Sequence, residues 1–364
     1  MIEQIHYATT QRYNFLQDLG NLDFSKRFIE MSLTSMSEIR DKCFQPWIDV
    51  KGEQVEAEEQ ENVIEVSCEC SFSVISPLEP IPDGTPIVAV DASSIKVGET
   101  RDGVICAVRG AVVWNDGGKY RCLRVGPFPF HITRESRRII LKYLNQFSPT
   151  ISNSNMTFLI EVQSKLCNAL ERWIQMAISG SISDSIILFD GTLSTKPLNS
   201  NADLLAQILR KARSNSNAVV SFSKFSTIKF LGRKITDLIV KQKEPCLLEI
   251  NENMLSISSK SMRLLGKIYA GKLCGKGYAF RIDVDRMLPK EMQVIVIQRI
   301  LGNDLVFQGY PETLRLAHIF STFTATDIIG IQRFLAKKYG LKIVNWPNLR
   351  RALFGPFGTG CAGD

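Results

Sequence analysis

The sequence predicts an α/β fold built on a mixed sheet, in which three antiparallel strands precede alternating helices and strands. Three observations support this: consecutive β-rich runs separated by turn residues, helical periodicity after them, and a short apolar strand that ends in an aspartate. An N-terminal helical lead-in precedes the sheet, and further α+β elements follow it. The 364 residues are 45% hydrophobic and 22% charged, which suffices for a large core and excludes a wholly disordered chain.

The first 84 residues are predicted to form the helical lead-in and an acidic segment, with a role in dimerisation or partner docking. Apolar residues in 1–50 recur at three- and four-residue spacing, as in an amphipathic helix. Residues 51–70 hold seven glutamates against one lysine, and this composition allows a flexible loop, an autoinhibitory DNA mimic or a docking strip. The proline-rich ISPLEPIPDGTP then places a boundary near residue 85.

The predicted sheet begins directly after this boundary. IVAVDAS, GVICAVRGAVVW and KYRCLRVG are β-rich, and the NDGG turn at 115–118 is a strong hairpin signal. Helices are predicted over 133–144 and 156–178, and the apolar run SIILFD indicates a strand buried on both faces. DLLAQILRKAR is predicted as a helix, AVVSFSK as a strand and FLGRKITDLIVKQK as a helix. This order matches the ribonuclease H-like architecture.

The C-terminal third adds further elements. GYAFRIDVD is predicted as a strand, EMQVIVIQRI as a strand or a helix, and a helix is expected from Glu312. FLAKKYG and LKIVNW are predicted as a helix followed by a strand.

The charge distribution points to a polyanionic partner. The formal net charge is +7, and nine Lys or Arg against one acid lie between Arg210 and Lys243. A second run, 330–351, holds six cations and no acid; each run alone could also be a solvated helix face.

No apolar stretch is long enough for a membrane span. The nine cysteines form no CxxC motif and are expected to be reduced thiols in a cytoplasmic chain.

Two predicted strands each end in an aspartate that is followed by small residues: Asp91 in VAVDASS and Asp190 in ILFDGT. A carboxylate at the mouth of an apolar strand loses solvation unless a cation or hydrogen bonds compensate. Together they suit a divalent metal, because carboxylate oxygens are hard ligands and small neighbours leave room for a phosphate. Alone, either aspartate could instead start a turn or cap a helix.

A third carboxylate is expected from the helix that precedes SIILFD. From Ser185 to Asp190 the strand covers about 16 Å, which an antiparallel helix retraces in about 11 residues. Because helical side chains lean toward the amino terminus, Glu171 fits this level best. Glu161 would overshoot the level of Asp190 by roughly two turns and is the alternative. Either glutamate could instead be an exposed helical residue.

Three more side chains are candidates. His318 lies about two turns into a helix that Pro311 is suited to begin, and its nitrogen would favour Mn²⁺ over Mg²⁺ unless the residue is structural. Lys224, at the end of AVVSFSK, could hold a scissile phosphate or be an ordinary exposed lysine. Tyr310 could stack on DNA or bind a phosphate, or its ring could pack on the core.

These motifs together resemble the NurA nuclease family. The resemblance rests on VAVDAS, ILFDGTL, Ser223-Lys224, FRIDVD and above all GYPETLRLAH, and it covers about residues 85–330. It implies a ribonuclease H-like, Mn²⁺-dependent DNA nuclease, with Mg²⁺ possible and two ions expected. Its implied activities are 5′-to-3′ exonuclease and single-strand endonuclease, exerted with the hexameric translocase HerA in DNA end resection for recombinational repair. A homodimer is also implied.

The resemblance assigns roles to matching positions. It makes Asp91 and Asp190 metal-binding carboxylates and Tyr310 and His318 a distal pair, with His318 also a ligand. Glu171, chosen more by helix geometry than by a motif match, takes the place of the helical carboxylate. The nucleic-acid contacts are then expected from Lys224, Lys229, Arg233, Lys234 and Tyr310.

One position departs from the family pattern. Ala92 replaces the glycine of the first motif, and its methyl group is tolerable only if φ stays negative.

The chain is expected to divide into a lead-in over 1–84, a NurA-like nuclease domain over 85–345 and a tail over 346–364.

Two other function classes compete with this interpretation. An actin-like or sugar-kinase-like ATPase would need two glycine-rich phosphate hairpins, but GETRDGV is a poor match and there is no Walker A motif. A non-catalytic DNA-binding subunit of a repair complex would give the carboxylates structural roles. Metal-dependent cleavage distinguishes the nuclease from both.

Overall fold

The computed structural model describes residues 23–47, 55–56, 64–66, 75–145, 158–195, 201–224, 226, 228–230, 233–250 and 263–344. The start of the predicted lead-in, most of the acidic segment 51–70 and the tail 346–364 lie outside the described residues. None of the described helices combines the length and the apolar composition needed to cross a membrane.

In the described residues, helices separate runs of consecutive strands. The helices are α1 (Asp23–Ser37), α2 (Arg134–Asn145), α3 (Phe158–Ser181), α4 (Asn201–Ser214), α5 (Lys290–Asn303), α6 (Glu312–Ser321) and α7 (Ala325–Tyr339), with a short 3₁₀ helix at Ile235–Leu238. The strands are β1 (Cys43–Pro46), β2 (Val55–Glu56), β3 (Ile64–Val66), β4 (Ser76–Pro77), β5 (Ile87–Glu99), β6 (Gly103–Asp116), β7 (Lys119–Thr133), β8 (Ile186–Asp190), β9 (Ser194–Thr195), β10 (Ala218–Ser223), β11 (Ile228–Phe230), β12 (Arg233–Lys234), β13 (Cys246–Glu249), β14 (Arg263–Leu264), β15 (Gly266–Lys272), β16 (Ala279–Asp285), β17 (Val306–Phe307), β18 (Tyr310–Pro311) and β19 (Lys342–Ile343).

The main sheet confirms the predicted fold class. β5, β6 and β7 are antiparallel, and β8 and β10 continue the sheet parallel to β5, which gives the order β7-β6-β5-β8-β10. Three antiparallel strands followed by two parallel ones form the ribonuclease H-like core. β16 and β15 extend the sheet as antiparallel strands beyond β10.

The hairpin between β6 and β7 follows from its turn residues. Asp116 pairs with Lys119, and the two residues between them, Gly117 and Gly118, have φ values of 60° and 80°. A two-residue turn of this kind needs positive φ at both central positions, which glycine adopts without steric cost. The predicted hairpin is therefore confirmed.

Helices cover both faces of the sheet. On β8, Ile187 and Phe189 join the core under α3, whereas Ile186 and Leu188 join the core under α5 and α6. This alternation confirms that the strand is buried on both faces, as its continuous apolar run predicts.

The lead-in helix α1 packs on β7. The ring of Phe28 lies edge-on to Phe128 and Phe130, with centroid distances of 5.4 and 5.2 Å. The Ser32 hydroxyl donates a hydrogen bond to the Pro129 carbonyl at 2.6 Å. The helix that the amphipathic pattern predicts in the lead-in is therefore confirmed over Asp23–Ser37.

The helix predicted for FLGRKITDLIVKQK is wrong. Arg233 and Lys234 instead pair with Phe230 and Lys229 as a short β-ribbon, and the 3₁₀ helix Ile235–Leu238 follows. Ile235 and other apolar residues of this segment pack against β15, so tertiary contacts override a helix-like spacing. The segment EMQVIVIQRI, left open between strand and helix, lies in helix α5.

Buried His131 on β7 gives the stability of the fold a predictable pH dependence. Its Nε2 lies 2.8 Å from Thr100 Oγ1, and its side chain is fully buried. Burial lowers the pKa of His131 from 6.5 to about 4. Since the unfolded chain takes up this proton near its ordinary pKa, the free energy of unfolding should decrease as the pH falls through that window.

We expect a decrease of about 2 kcal/mol between pH 7 and pH 4.5 from this residue. Urea unfolding at both pH values measures it, with His131→Gln as the comparison that lacks a titrating ring. The variant should lose less stability than the wild type over this interval. Equal losses in both proteins would contradict the assignment.

Candidate metal centre

The two aspartates meet because their strands are parallel neighbours. β5 and β8 pair in register up to Val90 and Phe189, so Asp91 and Asp190 follow as adjacent residues at the carboxyl ends of that pairing. Asp91 points to the face that carries α6, because Ile87 and Ala89, at alternate positions of β5, lie in the core on that face.

Helix α6 brings a histidine to the same point. It begins after Pro311, whose φ of −62° suits a helix start, and places His318 Nδ1 at 3.1 Å from Asp91 Oδ2. One turn later, the Ser321 hydroxyl donates to the same Asp91 oxygen at 2.8 Å. The Ser93 hydroxyl in turn donates to the Ser321 carbonyl at 2.6 Å, which ties the end of α6 to β5.

The structure thus brings Asp91, Asp190 and His318 into one group. One ligand atom from each residue lies within 4.8 Å of the others. Two carboxylate oxygens and one imidazole nitrogen are a donor set that fits a divalent ion, and the nitrogen favours Mn²⁺ over Mg²⁺. The chemistry of these side chains therefore fits the metal that the sequence predicts.

Asp190 is held in place by its neighbours. Its Oδ1 accepts the Gly191 backbone N–H at 3.0 Å, and its Oδ2 lies 2.8 Å from Lys224 Nζ. Burial is the main cause that raises the pKa of Asp190; the Lys224 ammonium opposes it, and the nearby charge of Asp91 adds to it. A divalent cation would supply positive charge that keeps both carboxylates ionised.

Glu171 is not in this group. It lies on α3, which packs against the face of β5 formed by Val88 and Val90, and its Oε1 accepts a hydrogen bond from Gln175 at 2.7 Å. Its side chain is buried. The metal-binding role of Glu171 stays a prediction.

The alternative residue, Glu161, has different partners. It lies in the first turn of α3, where Arg137 and Lys165 approach its carboxylate oxygens at 2.9 and 3.2 Å. A carboxylate between two cations is neutralised locally, so its geometry indicates an ion-pair role.

The Tyr310 ring packs in the core. Its centroid lies 5.3 Å from that of Phe280 and 5.9 Å from that of Phe222, and the side chain is buried. These contacts match the core-packing alternative for the ring. A role for its hydroxyl in catalysis stays a prediction.

The cations predicted to contact DNA lie on two neighbouring segments. Lys224 follows β10 and pairs with Asp190. Lys229 and Lys234 face each other across the ribbon of β11 and β12, and Arg233 and Lys234 are exposed. Their contact with DNA stays a prediction. Arg213, from the same basic run, instead forms an ion pair with buried Asp285.

Sequence reasoning missed two residues that support the centre. Ser321 fixes Asp91, but a serine one turn after a histidine carries no distinctive signal. Asp283 accepts the Leu193 backbone N–H at 3.0 Å and so anchors the turn that follows Asp190. Its signal was present in the FRIDVD motif, because an acid inside an apolar strand requires a buried partner. That partner is Arg281, whose Nε and Nη2 donate to Asp283 at 2.7 and 2.8 Å.

Ala92 fits the strand without strain. It lies inside β5 and is not among the residues with positive φ, so the condition for a methyl group at this position is met. Its side chain is buried in the core under α3.

The family model for the NurA domain matches residues 85–320. Among solved structures, the NurA nuclease from Sulfolobus solfataricus is 16% identical, covers 75% of this chain and 90% of its own, and has a TM-score of 0.49. A second structure described as NurA is 9% identical, with coverages of 67% and 85% and a TM-score of 0.36.

Endonuclease V from Bacillus subtilis is a more remote structural match. It is 11% identical, covers 72% of this chain and 88% of its own, and has a TM-score of 0.33. No curated protein gives a significant match to the sequence.

Proposed function

The chain belongs to the NurA family of nucleases, and we propose that it is a Mn²⁺-dependent deoxyribonuclease, with Mg²⁺ as a possible substitute. We further propose 5′-to-3′ exonuclease and single-strand endonuclease activity. The observation that carries the proposal is the group of Asp91, Asp190 and His318, in which the two aspartates directly follow the parallel pairing of β5 with β8. A ribonuclease H-like sheet with carboxylates at this point is suited to phosphodiester hydrolysis.

Asp91, Asp190 and His318 would hold the divalent metal. When bound, such an ion lowers the pKa of a water molecule and stabilises the leaving oxygen of a phosphodiester. Ser321 orients the Asp91 carboxylate, and the Gly191 N–H orients that of Asp190. Preorganised ligands of this kind need little rearrangement when substrate arrives.

Lys224 is suited to position the scissile phosphate. Its ammonium lies 2.8 Å from Asp190, and its side chain is 30% exposed, so a phosphate beside the metal centre can contact it. We keep Glu171 as the proposed further carboxylate for two ions, and Tyr310 with His318 as the proposed distal pair. Lys229, Arg233 and Lys234 would contact the DNA backbone without reading its sequence.

The wider setting is also part of the proposal. The protein would act as a cytoplasmic homodimer with a hexameric HerA-type translocase in DNA end resection for recombinational repair. Residues 1–84 would serve dimerisation or docking, residues 85–345 would form the nuclease domain, and 346–364 would form a tail.

The direct test is cleavage of DNA labelled separately at the 5′ and 3′ ends, as single strands and as duplex, with Mn²⁺, with Mg²⁺ and with chelator. We expect cleavage with Mn²⁺, less with Mg²⁺ and none with chelator. In a 5′-to-3′ exonuclease reaction, the 5′ label should appear at once in short products. Cleavage that survives the chelator would contradict the metal centre.

Absence of cleavage under every metal, even with the translocase added, would instead favour a non-catalytic DNA-binding subunit. A mobility-shift assay on the same substrates then separates loss of binding from loss of catalysis.

A further inference from the structure

A basic cleft lies at the turn of the β5–β6 hairpin, away from the metal centre. The cleft has a volume of about 1120 Å³ and is lined by the turn between β5 and β6, the end of β7 and one side of α2. Its cations are Arg101, Arg134, Arg137, Arg138 and Lys142. We call this feature the α2 cleft.

The two acids of the α2 cleft are already neutralised. Asp102 pairs with Lys42 and Glu99 pairs with Lys96, each at 2.7 Å. Neither lysine lines the cleft, so these acids do not compensate its own cations. The net field inside the cleft is therefore positive, which attracts an anion.

Three of the four α2 cations that line the cleft are available to a ligand. Arg134, Arg138 and Lys142 are exposed and form no ion pair within the part of the chain that the structure describes. Arg137, by contrast, pairs with Glu161 at 2.9 Å. Glu135, the one acid of α2, is exposed and does not line the cleft.

The spacing of these three cations suits a chain of phosphates. Positions 134, 138 and 142 are four residues apart and so form one stripe along α2, about 12 Å long. This length corresponds to about three nucleotides of a stacked strand. A single phosphate would use a small part of such a surface, whereas a polynucleotide backbone would use all of it.

The α2 cleft is well separated from the metal centre. Glu99 follows Asp91 on the same strand at a distance of about 26 Å of extended chain. α2 also packs with α3 on the face of the sheet opposite α6. Among the described residues, the one group suited to hold a metal is Asp91, Asp190 and His318, so the cleft can bind but has no cutting group of its own.

We propose that the α2 cleft binds the phosphodiester backbone of DNA as a second contact remote from the metal centre, holding the substrate without cutting it. The inference rests on the proposed action on DNA. It predicts tighter binding of substrates long enough to reach both places, with little dependence on base sequence.

The test is the salt dependence of DNA binding, measured with chelator present so that no cleavage occurs. The variant is Arg134→Ala with Arg138→Ala, and the matched control is Lys119→Ala with Lys276→Ala, two exposed lysines outside the cleft. Loss of two phosphate contacts should reduce the slope of log K against log salt by about 1.8 on duplex DNA. The control should keep the wild-type slope, and an unchanged slope in the cleft variant would overturn the proposal.

Cleavage kinetics give a second, independent readout. With Mn²⁺, the cleft variant should show a raised KM and an unchanged kcat on a duplex of about 30 base pairs. On a duplex of about 6 base pairs, which is too short to span about 26 Å, the variant and wild type should have equal KM values. Equal KM values on the long duplex would overturn the proposal.

The failure of this inference is distinguishable from failure of the proposed function. A wild type that binds DNA but cuts nothing would contradict the nuclease, while the binding slopes would still decide the cleft. An acidic protein segment as the true occupant would appear as unchanged DNA slopes in the cleft variant.

Discussion

Replacing Asp91 by asparagine is expected to lower the rate of DNA cleavage by at least about 100-fold, because loss of a mere outer-shell partner of a metal ligand already costs about 10–100-fold. The amide retains the size of the carboxylate, and its oxygen can still accept a hydrogen bond from the Ser321 hydroxyl. What it removes is one negative charge and one hard oxygen ligand from the group with Asp190 and His318. Single-turnover cleavage with saturating Mn²⁺ measures the effect.

The matched control is Glu291→Gln, which removes one charge from an exposed acid in the first turn of α5. This control should cleave DNA at the wild-type rate. Both variants should keep the wild-type melting temperature and bind DNA with chelator present. An Asp91→Asn variant that cleaves DNA within a few-fold of the wild type would contradict the assignment of Asp91.

Replacing Arg281 by methionine should reduce the free energy of unfolding by about 3–5 kcal/mol, because it leaves a buried carboxylate without its cation. Arg281 and Asp283 are 0% and 1% exposed, and two charge-assisted hydrogen bonds join them. Asp283 also accepts a hydrogen bond from the Leu193 N–H. A shift of the Asp283 carboxylate would therefore also disturb the turn that follows Asp190. Denaturant unfolding measures the loss.

Arg315→Met provides the control for this change. Arg315 makes the same two-pronged contact with Glu312, but its side chain is 40% exposed, so the loss should stay within about 1 kcal/mol. Replacing Arg281 and Asp283 together by apolar residues should recover much of the stability, although the Leu193 N–H then loses its acceptor. Equal losses for Arg281→Met and Arg315→Met would contradict the importance of burial.

The core of the fold was predictable because its signals are local. The turn at 115–118 requires the two glycines that it contains, and the apolar run of β8 allows no exposed face. The segment after Lys229 was not predictable in the same way. Its apolar spacing suits a helix, but the pairing of β12 with β11 and the packing of Ile235 depend on distant residues.

The site was predictable in part for a related reason. β8 ends at Asp190 as predicted, but the prediction that a strand also ends at Asp91 is wrong, because β5 continues to Glu99. The parallel pairing of β5 with β8 still brings the two acids together. The expected level of Glu171 came from rise along a helix, which fixes height but says nothing about the face of the sheet on which α3 packs. His318 approaches Asp91 from a helix more than two hundred residues later in the chain, and no local spacing could reveal that contact.

The most direct measurement of the metal centre is a Mn²⁺ titration followed by the electron paramagnetic resonance signal of free Mn²⁺. The wild-type protein should deplete this signal as it binds the ion. The double variant Asp91→Asn with Asp190→Asn, which loses two of the three ligands, should leave the signal at the level of a protein-free solution. Binding of Mn²⁺ by the double variant as tightly as by the wild type would contradict the assignment of the centre to these residues.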